Sequence, residues 1–156
     1  LWKHFKRVTL EVSCDGWGEA VEYSRTGFNR KDFLQNLKIV MGHSNITVSI
    51  NCVVNVYSVW TLPDMEKFRQ KLGINIIYAP CYLPKHTNPQ TLFKEDKETL
   101  KKLYAGNKNL EQVYTNFISK DEPPIPRIVV DYNTTLDKYR NTKFFDVFPQ
   151  YRKYRR

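Results

Sequence analysis

Apolar and polar residues alternate with a period of two near the start of the chain, which predicts a β-strand from about residue 7 to residue 15. One row of the segment VTLEVSCD is apolar and the other is polar. The polar row consists of Thr9, Glu11, Ser13 and Asp15. Asp15-Gly16 is a turn signal, and a glycine-rich crossing leads from it to Arg25. The pattern therefore places a hydroxyl and a carboxylate at the carboxyl end of a strand, where α/β proteins bind small ligands.

The same alternation returns in ITVSINCVVNV, which predicts a second strand from Ile46 to Val56. Its mostly polar row consists of Thr47, Ser49, Asn51, Val53 and Asn55. A third, more apolar strand is predicted from Ile74 to Ala79, and the prolines that follow it end the pattern.

Helical spacing fills both intervals between the predicted strands. Asn29 is a plausible N-cap for a helix that Gly42 ends. Thr61 is the predicted cap of a second helix, which begins at Leu62-Pro63 and ends at Gly73. Strand, helix, strand, helix, strand at this spacing predicts right-handed βαβ units and a parallel sheet.

The pattern changes after residue 84, and a mainly helical extension is predicted over residues 85–156. Helices are expected at 95–104, at 110–117 and at about 129–139, and the phenylalanines of 144–148 are expected to pack back onto the body. The final YRKYRR is predicted to be a loose, solvated tail. The chain is thus divided into residues 1–84, which carry the strands, and residues 85–156.

The two polar rows are unusual because strands of an all-parallel sheet are normally apolar on both faces. If the first two strands are neighbours, their hydroxyls, amides and acids lie side by side on a surface too polar for a dry core. A cavity that holds a polar ligand or water would satisfy these groups. The alternative is an antiparallel sheet whose polar face lies in solvent and needs no ligand.

Composition allows one folded domain, or one compact half of a larger one, among the 156 residues. The formal charge of +9 permits an anionic partner such as phosphate or nucleic acid, although dispersed basic residues also form an ordinary solvated exterior. Cys14, Cys52 and Cys81 form an odd set inside apolar runs, which favours buried, reduced thiols and a cytoplasmic compartment. No stretch has the length and apolarity of a membrane span, so no membrane partner is expected. The sequence begins at Leu1, almost directly in a strand, and an absent amino-terminal part is therefore expected.

Three runs carry a family resemblance by their order and spacing: VSCDGWGEAVEYSRTG, SINCVVNVYSVWTLPDM and LDKYRNTKFFDVFPQY. Together they resemble the second half of a radical S-adenosylmethionine enzyme of the SPASM/twitch subgroup. In that subgroup the fourth barrel strand ends in Ser-x-Asp followed by a small residue, and an arginine comes after it. Its fifth strand has an Asn-rich polar row and runs into a Leu-Pro helix. The third run resembles the carboxyl terminus of twitch-type members, some of them phage-borne.

The resemblance implies an α/β fold, namely the C-terminal half of a partial (β/α)6 TIM-like barrel with a helical C-terminal extension. The complete protein would use S-adenosylmethionine and a [4Fe-4S] cluster to abstract hydrogen from an unknown substrate, for which peptides are one class. The missing N-terminal half of the same protein would then be a partner. The implied cofactor-binding residues are Ser13 for the ribose hydroxyls, Arg25 for the methionine carboxylate, Asp15 as support of the same loop, Asn51 and Asn55 in the lumen, and the segment around Tyr82 near the adenine.

The sequence lacks residues that the family needs for its chemistry. It has neither the CxxxCxxC motif that binds the [4Fe-4S] cluster nor the family's Gly-Gly-Glu segment, and its three cysteines are far apart. No metal site is therefore predicted in this chain, and by itself it is expected neither to bind the cofactors nor to cleave S-adenosylmethionine.

Two other classes of function remain open. Basic residues interleaved with tyrosines, as in YRKYRR, are typical of a module that follows a nucleic-acid backbone and stacks on bases. A structural or assembly protein could also reuse half a barrel, and the exposed edge of its first strand would favour self-association.

Overall fold

A computed structural model describes residues 2–155 as a three-stranded parallel sheet surrounded by helices. The strands are β1 (Val8–Ser13), β2 (Ile46–Val54) and β3 (Asn75–Pro80), in the order β1-β2-β3. The prediction of a mixed α/β fold with a parallel sheet is confirmed, and the antiparallel alternative is wrong. β1 and β3 are the two edges of this sheet.

The register places the predicted polar rows of β1 and β2 side by side. Thr9 pairs with Thr47, Glu11 with Ser49, and Ser13 with Asn51. Directly paired residues of neighbouring strands point to the same face of a sheet. The opposite row, which includes Val48, Ile50, Cys52, Val54 and Ile76, is buried against the helices.

Helix α2 (Arg30–Met41) connects β1 to β2, and α3 (Leu62–Leu72) connects β2 to β3. The predicted cap of α2 is confirmed, because the Asn29 side chain accepts hydrogen bonds from the amides of Lys31 and Asp32. Thr61 precedes α3 as predicted, but its hydroxyl makes no cap hydrogen bond. It donates to the carbonyl of Ser58 and accepts from the amide of Trp17 instead.

A short helix, α1 (Glu19–Ser24), lies in the segment that the sequence presented only as a glycine-rich crossing. Two glycines with positive φ precede it, Gly16 at 115° and Gly18 at 66°. A Cβ atom on Gly16 would lie 2.9 Å from the Thr61 hydroxyl oxygen, so only glycine fits this close approach. The turn therefore needs glycine for packing as well as for conformation.

The remaining helices follow β3. They are α4 (Lys94–Tyr104), α5 (Lys108–Val113) with a π-helical continuation (Tyr114–Ile118), α6 (Pro126–Arg140) and α7 (Phe144–Val147). Short 3₁₀ turns occur at Trp2–His4, Ser58–Trp60, Lys85–Thr87, Pro89–Thr91 and Pro149–Tyr154. The predicted helices are thus confirmed. No helix in this part of the chain is both long and apolar enough to cross a membrane.

The prediction of a loose carboxyl-terminal tail is wrong for its described residues, 151–155. Tyr151 is fully buried, donates a hydrogen bond to the carbonyl of Val56 at 2.9 Å and accepts one from the indole N–H of Trp60 at 3.2 Å. The carboxylate of buried Asp96 accepts hydrogen bonds from Lys153 and from the Tyr154 hydroxyl. Aromatic rings and buried polar contacts therefore fix the end of the chain to the body.

Buried hydrogen bonds also join α6 to the sheet-bearing part. Asn133, which is 1% exposed, donates through Nδ2 to the Tyr57 hydroxyl at 3.0 Å. The Tyr23 hydroxyl donates to Asp137 of α6 at 3.0 Å. Since Tyr23 belongs to α1 and Tyr57 follows β2, the helical extension packs directly against the strand-helix units.

Candidate functional site

One face of the sheet is covered by helices, and the other presents the aligned polar rows to solvent. We call this second surface the polar face. Its residues are Thr9, Glu11 and Ser13 from β1, Thr47, Ser49, Asn51 and Val53 from β2, and Asn75, Ile77 and Ala79 from β3. Most of them are exposed, Asn51 is half-buried, and Ser49 is buried. The arrangement offers hydroxyl, amide and carboxylate groups over three adjacent parallel strands.

Asp15 joins the carboxyl ends of β1 and β2. Its Oδ1 accepts a hydrogen bond from the backbone amide of Val53 at 2.9 Å, and the amide of Cys14 donates to the carbonyl of Asn51 at 3.0 Å. The following turn is held by Thr61, which accepts the amide of Trp17 at 2.9 Å. The carboxylate is therefore a structural link that fixes the loop above the polar face.

Arg25 ends α1 and points back to the same loop. Its Nη1 lies 3.4 Å from the Asp15 Oδ2, and the arginine side chain is 41% exposed. Such a long, exposed pair contributes little to stability. Asp15 is the one hydrogen-bond partner of this guanidinium among residues 2–155, so most of its five N–H donors remain available to a ligand.

Ser13 and Asn51 are directly paired across β1 and β2 near the Asp15 link. The Oδ1 atom of Asn51 is buried and has no hydrogen-bond partner among the described residues. A buried acceptor without a partner costs about 1–3 kcal/mol, so this atom is suited to a donor that the chain itself does not supply. Ser13 is exposed and presents its hydroxyl on the same face.

Four of the six residues implied by the resemblance are thus brought together: Ser13, Asp15, Arg25 and Asn51. Asn55 follows β2, where its Oδ1 accepts from the amides of Tyr57 and Ser58, both at 2.9 Å, so it organises a turn. Tyr82 follows β3 with 48% of its surface exposed. No hydrogen bond within residues 2–155 connects Tyr82 to the other five.

The cysteines have no arrangement suited to metal binding. Cys14 and Cys52 are buried and Cys81 is half-buried, so the prediction of buried thiols is right for two of the three, and all three are free. Burial, with a contribution from neighbouring Asp15, raises the pKa of Cys14 to about 12, and burial raises the pKa of Cys52 as well. Within residues 2–155, no three His, Cys, Asp or Glu side chains are grouped as ligands of a metal ion.

Sequence reasoning missed the part that three residues have in this region. Asn75 and Ile77 extend the polar face onto β3, opposite Ser49 and Asn51, but a single polar residue in an apolar strand gave no alternating signal. Thr61 was interpreted as a helix cap, the usual role of threonine before Leu-Pro. Its actual function is to fix the loop that carries Asp15, which is a contact across 44 residues.

Comparison of the chain with protein-family models, with curated proteins and with solved structures gave no match.

Proposed function

We propose that this chain forms the cofactor-facing, carboxyl-terminal half of a partial (β/α)6 barrel in a radical S-adenosylmethionine enzyme of the SPASM/twitch type. The observation that carries the proposal is the polar face, where Ser13, Asn51 and the Asp15–Arg25 pair meet at the carboxyl ends of adjacent parallel strands. In α/β barrels, this end of the strands is where ligands bind. The three strands of this chain would be the fourth, fifth and sixth of the barrel.

The residue types fit S-adenosylmethionine. The Ser13 hydroxyl can donate to and accept from a ribose diol, and the Arg25 guanidinium can bind the methionine carboxylate through two parallel N–H donors. Asp15 would position Arg25, from which it lies 3.4 Å. The unpartnered Oδ1 of Asn51 would accept a hydrogen bond from the ligand or from a complementary strand. In the complete enzyme, S-adenosylmethionine that accepts one electron from a [4Fe-4S] cluster would supply a radical that abstracts hydrogen from the substrate.

The residues of this chain do not fit a [4Fe-4S] cluster. Such a cluster needs closely placed thiolates, whereas Cys14 and Cys52 are buried on the helix-covered side of the strands with raised pKa values. In the complete enzyme, the ligands of the cluster would therefore be residues outside this sequence, and the three cysteines present would have no part in the chemistry. The free edges of β1 and β3 are where strands of a complementary half would pair.

The experiment is a measurement of S-adenosylmethionine affinity in the complete, cluster-containing protein. Arg25→Ala removes hydrogen bonds to a charged group, each worth about 1.5–3 kcal/mol, so the dissociation constant should rise about 10-fold to 100-fold. Ser13→Ala should weaken binding by a smaller factor. Matched controls are Arg127→Ala and Ser44→Ala, which change exposed residues outside the polar face. Unchanged affinity in both site variants would refute the assignment.

A second candidate is nucleic-acid binding, and one observation favours it on α6. Tyr132 and Tyr139 are seven residues apart on this helix and are 43% and 83% exposed, with Lys138 and Arg140 beside Tyr139. Exposed aromatic rings beside basic residues can stack on bases. The YRKYRR segment does not strengthen this candidate, because its Tyr151 ring is buried. Single-stranded RNA titrated at increasing salt tests it: binding that Tyr139→Ala abolishes and salt weakens steeply would favour this function.

A further inference from the structure

A groove of about 460 Å³ lies between α2 and α3, on the helix-covered side of the sheet and away from the polar face. We call it the α2/α3 groove. It is lined by Trp17, by Leu34 and Lys38 of α2, and by Asp64, Lys67, Phe68, Lys71 and Leu72 of α3. The five α3 positions follow the spacing i, i+3, i+4, i+7, i+8, so they form one face of that helix. None of these residues takes part in the proposed cofactor site.

The floor of the groove is apolar and remains accessible. The rings of Trp17 and Phe68 have centroids 4.3 Å apart and are tilted by 33°, and both residues are only half-buried. Leu34 and Leu72 are also half-buried and extend this surface along the two helices. Aromatic side chains that are packed together but still accessible provide a rigid anchor for an apolar ligand surface.

The rim of the groove is basic. It carries three lysines and one aspartate, which gives a formal charge of 3 − 1 = +2. Asp64 is neutralised by Lys67, whose Nζ lies 2.9 Å from the Asp64 Oδ1. Lys38 and Lys71 are exposed, and no carboxylate of the described residues lies within ion-pair distance of them. The groove thus has one exposed lysine without an ion-pair partner on each of its two helices.

We propose that the α2/α3 groove binds a short, acidic, amphipathic helix of a partner protein. The lining of α3 from Asp64 to Leu72 corresponds to about 12 Å of helix, or roughly two turns. A bound helix of that length would place its apolar face on Trp17 and Phe68 and its acidic residues next to Lys38 and Lys71. This is the mode in which amphipathic helices bind grooves, with apolar anchors spaced three or four residues apart.

Charge and shape favour this occupant over three others. A second copy of the chain also carries a formal charge of +9, so association of two copies brings like charges together. A fatty carboxylate has a single negative charge, whereas two lysines without carboxylate partners line the groove. A membrane surface would require a protruding apolar element, whereas this surface is concave.

The test uses a fluorescein-labelled peptide of about 14 residues, long enough for four helical turns, with leucine or phenylalanine on one face and glutamate on both flanks. Fluorescence anisotropy with the 156-residue chain should give a dissociation constant of about 10–100 µM at low salt. The double variant Lys38→Glu/Lys71→Glu should raise it at least about 10-fold, since two attractive charges become repulsive. The matched control is Lys101→Glu/Lys102→Glu on exposed positions of α4, which should change it less than about twofold.

Several results would overturn the proposal. They are the absence of saturable binding, equal binding by the groove variant and the control, or equal binding of a peptide whose glutamates are replaced by lysines. Displacement of the peptide by dodecanoate at concentrations below the peptide's own dissociation constant would assign the groove to an alkyl ligand instead. Concentration-dependent dimerisation that the groove variant abolishes would assign it to a second copy. Amide chemical-shift changes confined to α2, α3 and Trp17 would locate the binding in the groove, and changes elsewhere would contradict it.

Discussion

Glu66→Gln should destabilise the fold strongly, because Glu66 connects three parts of it from a buried position. The side chain lies on α3 and the residue is 1% exposed. Its Oε1 accepts the hydroxyl of Tyr78 on β3 at 2.7 Å. Its Oε2 accepts Nε of Arg69 at 2.9 Å and Nδ2 of Asn109 on α5 at 3.2 Å. A single carboxylate therefore links a helix and a strand of the sheet unit to the helical extension.

These contacts stabilise the ionised carboxylate. Burial alone would raise the pKa of Glu66, but the hydrogen bonds from Tyr78, Arg69 and Asn109 outweigh it and lower the pKa below its ordinary value. A glutamine keeps one oxygen that can accept from Arg69 and Asn109, but its amide nitrogen must then donate to the Tyr78 hydroxyl, and all three hydrogen bonds lose the negative charge that strengthens them. Each hydrogen bond to a charged group contributes about 1.5–3 kcal/mol, and we expect a loss of about 2–4 kcal/mol in unfolding free energy at pH 7.

The assay is thermal and urea unfolding of the two proteins. For a domain of this size each kcal/mol shifts Tm by about 2–4 °C, so Glu66→Gln should lower Tm by about 5–15 °C. The matched control is Glu98→Gln, an exposed glutamate of α4, which should stay within about 0.5 kcal/mol of the parent chain.

The pH dependence gives a second readout with a defined sign. A carboxyl group with a lowered folded-state pKa contributes its full stabilisation above the unfolded-state value, and that stabilisation disappears as pH falls through the folded-state value. The stability gap between the parent and Glu66→Gln should therefore narrow on acidification below the ordinary glutamate pKa. A variant as stable as the parent at pH 7, or a stability gap that widens in acid, would show that the ionised Glu66 carboxylate does not stabilise the fold.

Three further predictions follow from single contacts. Asp15→Ala should lower the free energy of unfolding, measured in urea, by about 1–3 kcal/mol, because the β2 backbone amide that donates to the carboxylate loses its acceptor. An unchanged free energy would show that water replaces the carboxylate. Tyr151→Phe should cost about 1–3 kcal/mol in the same assay, since a buried carbonyl and an indole N–H both lose their partner; a neutral effect would contradict a fixed carboxyl terminus. Ellman's reagent should label Cys81 rapidly in the native protein. Cys14 and Cys52 should react only after unfolding, because their thiols are buried and their pKa values are raised. Rapid labelling of all three thiols would contradict the burial of Cys14 and Cys52.

The strand-helix alternation and the two polar rows could be predicted because they depend on local periodicity. Two alternating segments joined by a helix predicted that the polar rows would lie side by side if the strands were neighbours, whereas the register that pairs Ser13 with Asn51 was not predicted. The Asn29 cap could be predicted for the same reason, since capping involves only neighbouring residues.

Features that depend on distant contacts could not be predicted. Thr61 has the sequence context of a cap, but Trp17, 44 residues away, takes its hydroxyl. The terminal Tyr151 lies in a run of basic residues that resembles a solvated tail, yet its ring packs against Phe144 and Trp60. Local composition carries no information about such contacts, which the tertiary fold alone creates.

Some residues of the candidate site could also be predicted from the sequence, and others could not. Residues on the alternating strands and the neighbouring loop were assigned by resemblance. Ser13 is paired with Asn51, and Arg25 lies 3.4 Å from Asp15. Asn55 belonged to the same polar row, but β2 ends at Val54 and the Asn55 side chain accepts hydrogen bonds from the backbone amides two and three residues ahead. Such a turn is a local alternative to the strand, and the alternation alone could not show that it ends the polar face here.

The central proposal, that the polar face is one half of a cofactor-binding barrel, is tested most directly by reading the coding sequence upstream of Leu1. If the polar face is half of such a barrel, the upstream sequence should be an open frame that encodes three more strand-helix units, with the cluster-binding CxxxCxxC motif after the first strand. An initiator codon immediately before Leu1, or an upstream frame without that motif, would contradict it.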